Sequence, residues 1–194
     1  MIDPIDGAIE LGDFLTENKV DYVIIGGLAV QVWGDARLTR DADLTISSSV
    51  EEGVAPLVEL ITGVYESRVP DPFGFARQTR MILIKTASGI DVDISLGMPG
   101  YEEEMFSRAV EIEIRSGISL KISSPEDLII QKAIAGRPQD ASDMESIVIR
   151  QGNELDVSYV RKWLSVYAEI LEDEDLTGRF DLVWKKYSGS TNAG

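Results

Sequence analysis

Val23-Ile24-Ile25-Gly26-Gly27-Leu28-Ala29-Val30 is an apolar run interrupted by two glycines, and Arg40-Asp41-Ala42-Asp43-Leu44 follows it, with Asp41 fourteen residues after Gly27. The β-branched residues before the glycines predict a buried strand, and the apolar residues after them predict a short helix. Gly27 lets the backbone approach a ligand closely, and N–H groups at a helix start favour an anion. The run therefore predicts a phosphate-binding turn.

The second stretch alternates strictly between apolar and polar residues. Ala42, Leu44 and Ile46 would face one side of a strand, and Asp41, Asp43 and Thr45 the other. Two carboxylates at that spacing can hold divalent ions against a triphosphate. The alternative is that these aspartates have no role in binding: they lie on a solvated strand face, and the glycines form a tight turn.

A third acidic pair lies on a later predicted strand, residues 90–96. Ile90, Val92, Ile94 and Leu96 would face one way, and Asp91, Asp93 and Ser95 the other. Ser88-Gly89 precedes this strand and predicts a hairpin with the strand Met81 to Lys85. A third carboxylate on the wall of the Asp41/Asp43 site is thus allowed by strand geometry, from either Asp91 or Asp93.

Together these residues resemble the nucleotidyltransferase superfamily of the DNA polymerase β type, whose signature is a glycine pair, Asp-x-Asp and a third acidic residue on a later strand. The branch that the chain resembles most is the AbiEii-type and related minimal nucleotidyltransferases of toxin–antitoxin and phage-defence systems. The resemblance covers most of residues 20–150. It is carried by Gly26-Gly27, Arg37 to Asp43, Asp93-Ile94 and the segment from Pro125 through Lys132 and Arg137 to Asp140 and Asp143.

The resemblance implies an α/β (α+β) fold with a mixed, partly antiparallel sheet flanked by helices, followed by a helical C-terminal part. It implies transfer of a nucleoside monophosphate from a nucleoside triphosphate (NTP) to a hydroxyl of an acceptor, with Mg²⁺ or Mn²⁺. The catalytic and metal-binding residues would be Asp41, Asp43 and Asp93, the last chosen because Val92-Asp93-Ile94 looks like the family's third element. Asp91 stays a competitor for the third position.

The same resemblance suggests residues that hold the nucleotide: Gly26, Gly27, Arg40, Lys132 and Asp143. Lys132 would contact the triphosphate, with a surface lysine as the alternative. Asp143, with Asp140 as a second candidate, would support the lysine or the acceptor. Phosphate contact and a structural salt bridge are equally open for Arg37, Arg40 and Arg137.

Aromatic residues offer weaker candidates for the nucleobase. Tyr101 is one, because it is close in sequence to Asp93. The helical spacing of Trp163, Tyr167, Trp184 and Tyr187 favours core packing over base stacking.

Composition narrows the chemistry. The 194 residues include no cysteine and no histidine, so any metal must be held by oxygen, which favours magnesium or manganese over zinc. The formal net charge is −16 and no basic stripe is visible, so stable DNA binding is not expected. No apolar run is long enough to cross a membrane and no basic signal-peptide region is present, so a cytoplasmic location is expected.

The composition changes from β-rich to helical near Ser123, which predicts a domain boundary there. We predict a nucleotidyltransferase catalytic domain over 1–122, a helical part packed on it over 123–187 and a disordered tail over 188–194. Within the first domain, Pro70 to Gly74 predicts a loop. Within the second, Ser124 with Pro125 predicts a helix start, and Asp140 is expected to open the next helix.

The acceptor is not fixed by these residues. The resemblance suggests a protein or tRNA, and membership of a toxin–antitoxin pair with a cognate partner, although the acidic surface argues mildly against tRNA. A small-molecule nucleotidyltransferase of the antibiotic-modifying type is the alternative within enzymes. A catalytically silent nucleotidyltransferase-like binding module, such as an antitoxin acting by contact, is the alternative outside them.

Overall fold

The structure, a computed structural model, describes residues 3–48, 53–97 and 100–187. The chain forms two compact units, one from Met1–Leu28 and Leu38–Ser123, the other from Ala29–Arg37 and Ser124–Gly194. The helical unit thus begins at Ser124 and includes a short segment from the first part of the sequence. The tail predicted over 188–194 lies outside the described residues.

The first unit contains both helices and strands, and the described residues of the second form helices and their connections. The helices are α1 Pro4–Glu17, α2 Gly26–Trp33, α3 Ala55–Thr62, α4 Pro72–Thr79, α5 Tyr101–Arg108, α6 Pro125–Ala135, α7 Pro138–Gln151, α8 Val157–Leu171 and α9 Leu176–Tyr187. The strands are β1 Tyr22–Ile25, β2 Ala42–Ile46, β3 Glu66–Ser67, β4 Met81–Lys85, β5 Asp91–Leu96, β6 Val110–Arg115 and β7 Ile118–Ile122.

The seven strands form one mixed sheet in the order β3-β4-β5-β2-β1-β7-β6. β1 pairs antiparallel with β2 and parallel with β7, and β2 pairs parallel with β5. β4 pairs antiparallel with both β3 and β5, and β6 pairs antiparallel with β7. The predicted mixed α/β fold is confirmed.

Helix α1 packs closely on the sheet because two of its residues are glycines. A Cβ added at Gly7 would lie 2.6 Å from Cγ2 of Ile90, and one added at Gly12 would lie 2.6 Å from the hydroxyl of Tyr22. Asp3 caps the helix, since its side chain accepts a hydrogen bond from the Ile5 N–H. Helix α1 therefore covers one face of β1, β2 and β5.

Two local predictions were wrong. The Pro70–Gly74 segment is not all loop, because Asp71 accepts a hydrogen bond from the Gly74 N–H at 2.9 Å and starts α4 at Pro72. Helix α7 starts at Pro138 rather than at Asp140. Both cases follow one rule: proline is favoured in the first helical turn, where its missing N–H is not needed.

The helical unit is organised around the buried faces of α6 to α9. Ser124 caps α6 by accepting a hydrogen bond from the Asp127 N–H at 3.1 Å, and Gly136, with φ of +62°, ends it. Tyr167 and Phe180 are buried, whereas Trp163 and Trp184 are half-buried. No helix in the described part of the chain has both the length and the apolarity needed to cross a bilayer.

Candidate active site

The site begins at the turn from β1 into α2. Gly26 has φ of +62°, a conformation that favours glycine, and it directly follows the last residue of β1. A Cβ added at Gly26 would lie 2.0 Å from Oδ2 of Asp43. The β1–β2 register explains this contact, because Ile25 is paired with Asp43. The missing side chain of Gly26 therefore makes room for the Asp43 carboxylate.

The second glycine makes room for a threonine. A Cβ added at Gly27 would lie 2.6 Å from Oγ1 of Thr39. That hydroxyl donates a hydrogen bond to Oδ1 of Asp41 at 3.1 Å. Thr39 thus orients the Asp41 carboxylate, a role that sequence reasoning did not assign to it. The sequence spacing could have indicated this role, because a threonine two residues before an aspartate can reach the aspartate side chain.

The parallel pairing of β2 with β5 brings the second and third acidic positions together. Asp43 and Asp93 are register partners, and neighbouring strands lie about 4.8 Å apart. Asp41 precedes β2 and shares the strand face of Asp43. Asp91 is two residues before Asp93 on the same face of β5. The sheet register therefore places Asp93, rather than Asp91, directly beside Asp43.

Arg68 lies against both carboxylates of β5. Its Nη1 is 2.5 Å from Oδ1 of Asp93, and its Nε is 3.6 Å from Oδ2 of Asp91. Lys85 Nζ is 3.6 Å from the other Asp91 oxygen. Sequence reasoning missed Arg68, because only the two-residue strand β3 and the bond from the Arg68 N–H to the Leu83 carbonyl bring it there.

The donor chemistry suits a hard divalent cation. Asp41, Asp43 and Asp93 offer carboxylate oxygens, which Mg²⁺ and Mn²⁺ prefer, and Gly26 leaves space where a side chain would cover Asp43. Within residues 3–48, 53–97 and 100–187, no three acidic, histidine or cysteine side chains converge as a formed metal cluster. The carboxylate of Asp93 is directed to Arg68. The residues present fit the metal by type and by strand position.

A second charged cluster lies in the helical unit, around Lys132. Its Nζ is 3.0 Å from Oδ1 of Asp140 and 2.7 Å from Oδ2 of Asp143. Arg37 donates to both oxygens of Asp143, from Nε at 2.8 Å and from Nη2 at 3.0 Å. The Lys132 side chain is only 6% exposed, so it is not an ordinary surface lysine.

Both carboxylates of this cluster are ionised more readily than usual. Burial raises the pKa of Asp140, but hydrogen bonds from Arg137 and Lys132 outweigh it, and the net pKa is lowered from 3.8. Burial likewise raises the pKa of Asp143, and the bonds from Arg37 and Lys132 bring it below 3.8. The cluster is a network of ion pairs in which Lys132 and both carboxylates are buried, whereas Arg37 is 31% and Arg137 is 71% exposed.

Two further residues were candidates for nucleotide contact, Arg40 for a phosphate and Tyr101 for the base. Arg40 is exposed and makes no ion pair with the residues that the structure describes, which leaves its guanidinium available to an anion. Tyr101 is 6% exposed, so little of its ring remains for contact with a base.

A family described as nucleotidyltransferases of unknown function (DUF6036) matches residues 5–191 of the chain. The chain belongs to this family. No toxin–antitoxin role is part of that match, so the AbiEii-type assignment of this DUF6036 nucleotidyltransferase stays a prediction. A comparison with curated protein sequences gives no match.

Solved structures show the same fold in other nucleotidyltransferases. An antigenic nucleotidyltransferase-like protein from Paracoccidioides brasiliensis is 19% identical, with 91% of each chain covered and a TM-score of 0.51. The antibiotic-resistance factor ANT(2'')-Ia in solution is 14% identical over 88% of this chain and 97% of its own, with a TM-score of 0.56. Its crystal structure with adenylyl-2''-tobramycin is 17% identical, over 84% and 97%, with a TM-score of 0.50. At these identities, the likeness of the DUF6036 chain to them is one of fold.

Proposed function

We propose that the protein transfers a nucleoside monophosphate from an NTP to a hydroxyl of an acceptor, at a site formed by Asp41, Asp43 and Asp93. The observation that carries the proposal is the register of Asp43 with Asp93, next to the glycine whose missing side chain accommodates the Asp43 carboxylate. Family membership supports the same general chemistry. A solvated strand face would not require Gly26 at that contact.

The three aspartates have separate tasks in this proposal. Asp41 and Asp43 would hold Mg²⁺ or Mn²⁺, and Asp93 would complete the site and accept the proton of the acceptor hydroxyl. Two divalent ions held by such carboxylates stabilise the entering and leaving oxygens of an in-line displacement. Thr39 keeps the Asp41 carboxylate in place through its hydroxyl. Asp91 is the weaker candidate for the third position because Asp93, and not Asp91, is the register partner of Asp43.

The nucleotide would be held by main-chain and cationic groups. Gly26 and Gly27 open α2, whose first N–H groups suit the β- and γ-phosphates. The exposed Arg40 would contact a phosphate directly. By resemblance, Lys132 contacts the triphosphate and Asp143 supports it. The 2.7 Å distance from Lys132 Nζ to Asp143 supports that assignment of Asp143.

The acceptor we propose is a protein or tRNA, within a toxin–antitoxin or defence system. This part rests on the resemblance alone. A protein acceptor is favoured over tRNA because a net charge of −16 repels a polyanion. The second candidate is a small-molecule acceptor, favoured by the fold shared with a structure that contains adenylyl-2''-tobramycin.

A transfer assay tests the proposal. The full chain is incubated with each α-labelled NTP and Mg²⁺ or Mn²⁺, with cell lysate, total tRNA or aminoglycosides in separate reactions. The isosteric Asp43→Asn variant should lose transfer. Asp21→Asn is the matched control, because the Asp21 side chain is 70% exposed and its ion pair with Lys121 is at the surface.

Each result has a distinct meaning. Label on protein, on tRNA or on an aminoglycoside that depends on Asp43 identifies the acceptor class. Metal-dependent NTP binding without transfer to any of the three indicates that the acceptor is missing from the reactions. Absence of both binding and transfer overturns the enzymatic proposal and favours the silent binding module.

A further inference from the structure

Arg68 bridges two carboxylates that the proposed chemistry treats differently. It donates to Asp93 at 2.5 Å, while its Nε remains 3.6 Å from Asp91. The two aspartates are same-face neighbours on β5, so a small rotation of one guanidinium exchanges one partner for the other. Arg68 is 29% exposed, which leaves it room to move.

The surroundings of the two aspartates differ. Asp93 is paired in register with another carboxylate, Asp43. On the β4 side, Asp93 is paired in register with the apolar Leu83, whereas Asp91 is paired with Lys85, whose Nζ is 3.6 Å from Oδ1 of Asp91. That oxygen is buried and accepts no hydrogen bond within the described ranges. The other oxygen of Asp91, Oδ2, faces the Arg68 Nε at 3.6 Å, which is too long for a hydrogen bond, so Asp91 has acceptor capacity for a guanidinium that moves closer.

A guanidinium and a divalent cation that both bind the Asp93 carboxylate repel each other. Mg²⁺ sits about 2.1 Å from its carboxylate oxygens, so both cations would lie within a few ångströms of each other. Like charges at that distance repel, the more so in a partly buried site. Two roles for Arg68 are conceivable: it competes with the metal, or it orients Asp93 from the side. Competition is favoured, because Asp91 lies close enough to accept Arg68 when the metal displaces it from Asp93.

We propose that Arg68 is a positioning residue that competes with the divalent cation for Asp93, and that Asp91 receives Arg68 when the cation binds. The inference rests on the proposed function, because it takes Asp93 as a metal ligand. It assigns Asp91 to Arg68 instead of to the metal. Arg68 would then keep the acidic site compact in the absence of metal and set the metal concentration at which the site fills.

The test is a titration of the full chain with Mn²⁺ in the absence of nucleotide. Electron paramagnetic resonance of the free Mn²⁺ measures how much of the ion is bound. Arg68→Gln should tighten Mn²⁺ binding about threefold to tenfold, because the competing cation is gone. Asp91→Asn should weaken it by a similar factor, because Arg68 then has only Asp93. In the double variant, adding Asp91→Asn to Arg68→Gln should change binding by less than about twofold, since Asp91 acts through Arg68.

Three further variants keep the result interpretable. Arg68→Lys retains the charge and should bind Mn²⁺ much as the wild type does. Lys85→Gln removes the other cation on Asp91 and should change binding less than Arg68→Gln. Asp43→Asn should abolish the site. Circular dichroism of each variant verifies folding.

Several outcomes overturn the inference. Unchanged or weaker Mn²⁺ binding in Arg68→Gln means that Arg68 does not compete with the metal. An equal loss from Asp91→Asn in both backgrounds makes Asp91 a direct ligand. If no Mn²⁺ site depends on Asp43, the metal site of the proposed function fails as well. If Asp43 matters and Arg68 does not, this inference fails alone.

Discussion

Gly26 meets two requirements at one position. Its φ of +62° would strain any other residue, and a Cβ there would lie 2.0 Å from an Asp43 oxygen. Strain alone is common at turns, as at Gly89, where φ is +85° and an added Cβ would meet nothing within 4 Å. The contact with Asp43 is what links Gly26 to the site.

Replacement of Gly26 by alanine should therefore affect both stability and metal binding. We expect Gly26→Ala to lower the free energy of unfolding by about 1–3 kcal/mol and to weaken Mn²⁺ binding, because the methyl group displaces Asp43. Gly89→Ala, with the same kind of backbone strain, should lose about 1 kcal/mol and leave Mn²⁺ binding unchanged. Urea denaturation and Mn²⁺ titration measure the two effects. Identical behaviour of both variants would contradict the role of Gly26.

The local sequence predicted those residues that act through local geometry. Alternation placed Asp41, Asp43, Asp91 and Asp93 on polar strand faces, because the side-chain period of a strand is two. It could not rank Asp91 against Asp93, since ranking requires the register between β2 and β5. Nor could it find Arg68, which reaches the site through the pairing of a two-residue strand.

At the scale of secondary-structure elements, the parallel pairing of β2 with β5 is the feature on which the site depends. A slip of one residue would turn Asp93 to the opposite face and bring an apolar side chain beside Asp43. Apolar residues fix the register, because Val92 and Ile94 are fully buried opposite Ala42 and Leu44. Core packing on one face of these strands thus positions the carboxylates on the other.

Buried ion pairs connect helices α6 and α7: Lys132 on α6 pairs with Asp140 and Asp143 on α7. The helix start at Ser124 was predictable from local signals, whereas the burial of Lys132 was not, because its partners lie on the next helix. Buried ion pairs add little net stability, yet removal of Lys132 leaves two buried carboxylates whose remaining cations are the more exposed Arg37 and Arg137. The effect of such a removal depends on pH.

Lys132→Met should lower the free energy of unfolding by about 3–5 kcal/mol at pH 7. The pKa values of Asp140 and Asp143 are lowered from 3.8, so their stabilising contribution is present above that value and is lost as pH falls through the folded pKa. The difference between wild type and Lys132→Met should therefore shrink below about pH 4. Urea denaturation at several pH values measures it.

Lys186→Met is the matched control for that variant. Lys186 pairs with Glu145 at 3.2 Å, but its side chain is 61% exposed, so its loss should change the free energy of unfolding little at any pH. A difference for Lys132→Met that stays constant down to pH 3 would show that lost packing, and not charge, is responsible.

At the scale of the whole molecule, charge is the dominant feature. The chain has 34 acidic and 18 basic residues, so repulsion among carboxylates opposes the compact state. Many of the ion pairs are exposed, such as those of Arg115 with Asp3 and Asp6, and exposed pairs contribute little. Long-range repulsion should therefore outweigh surface attraction.

The balance predicts that salt stabilises the protein near neutral pH. Raising NaCl from about 20 mM to about 300 mM shortens the screening length from roughly 20 Å to about 6 Å. That change should raise Tm by a few degrees, which for a chain of this size corresponds to a gain on the order of 1 kcal/mol in the free energy of unfolding. Near pH 4, where many carboxylates lose their charge, the same salt step should have little effect. Scanning calorimetry at both pH values measures the two shifts. A fall in Tm with salt at neutral pH would mean that the ion pairs outweigh the repulsion after all.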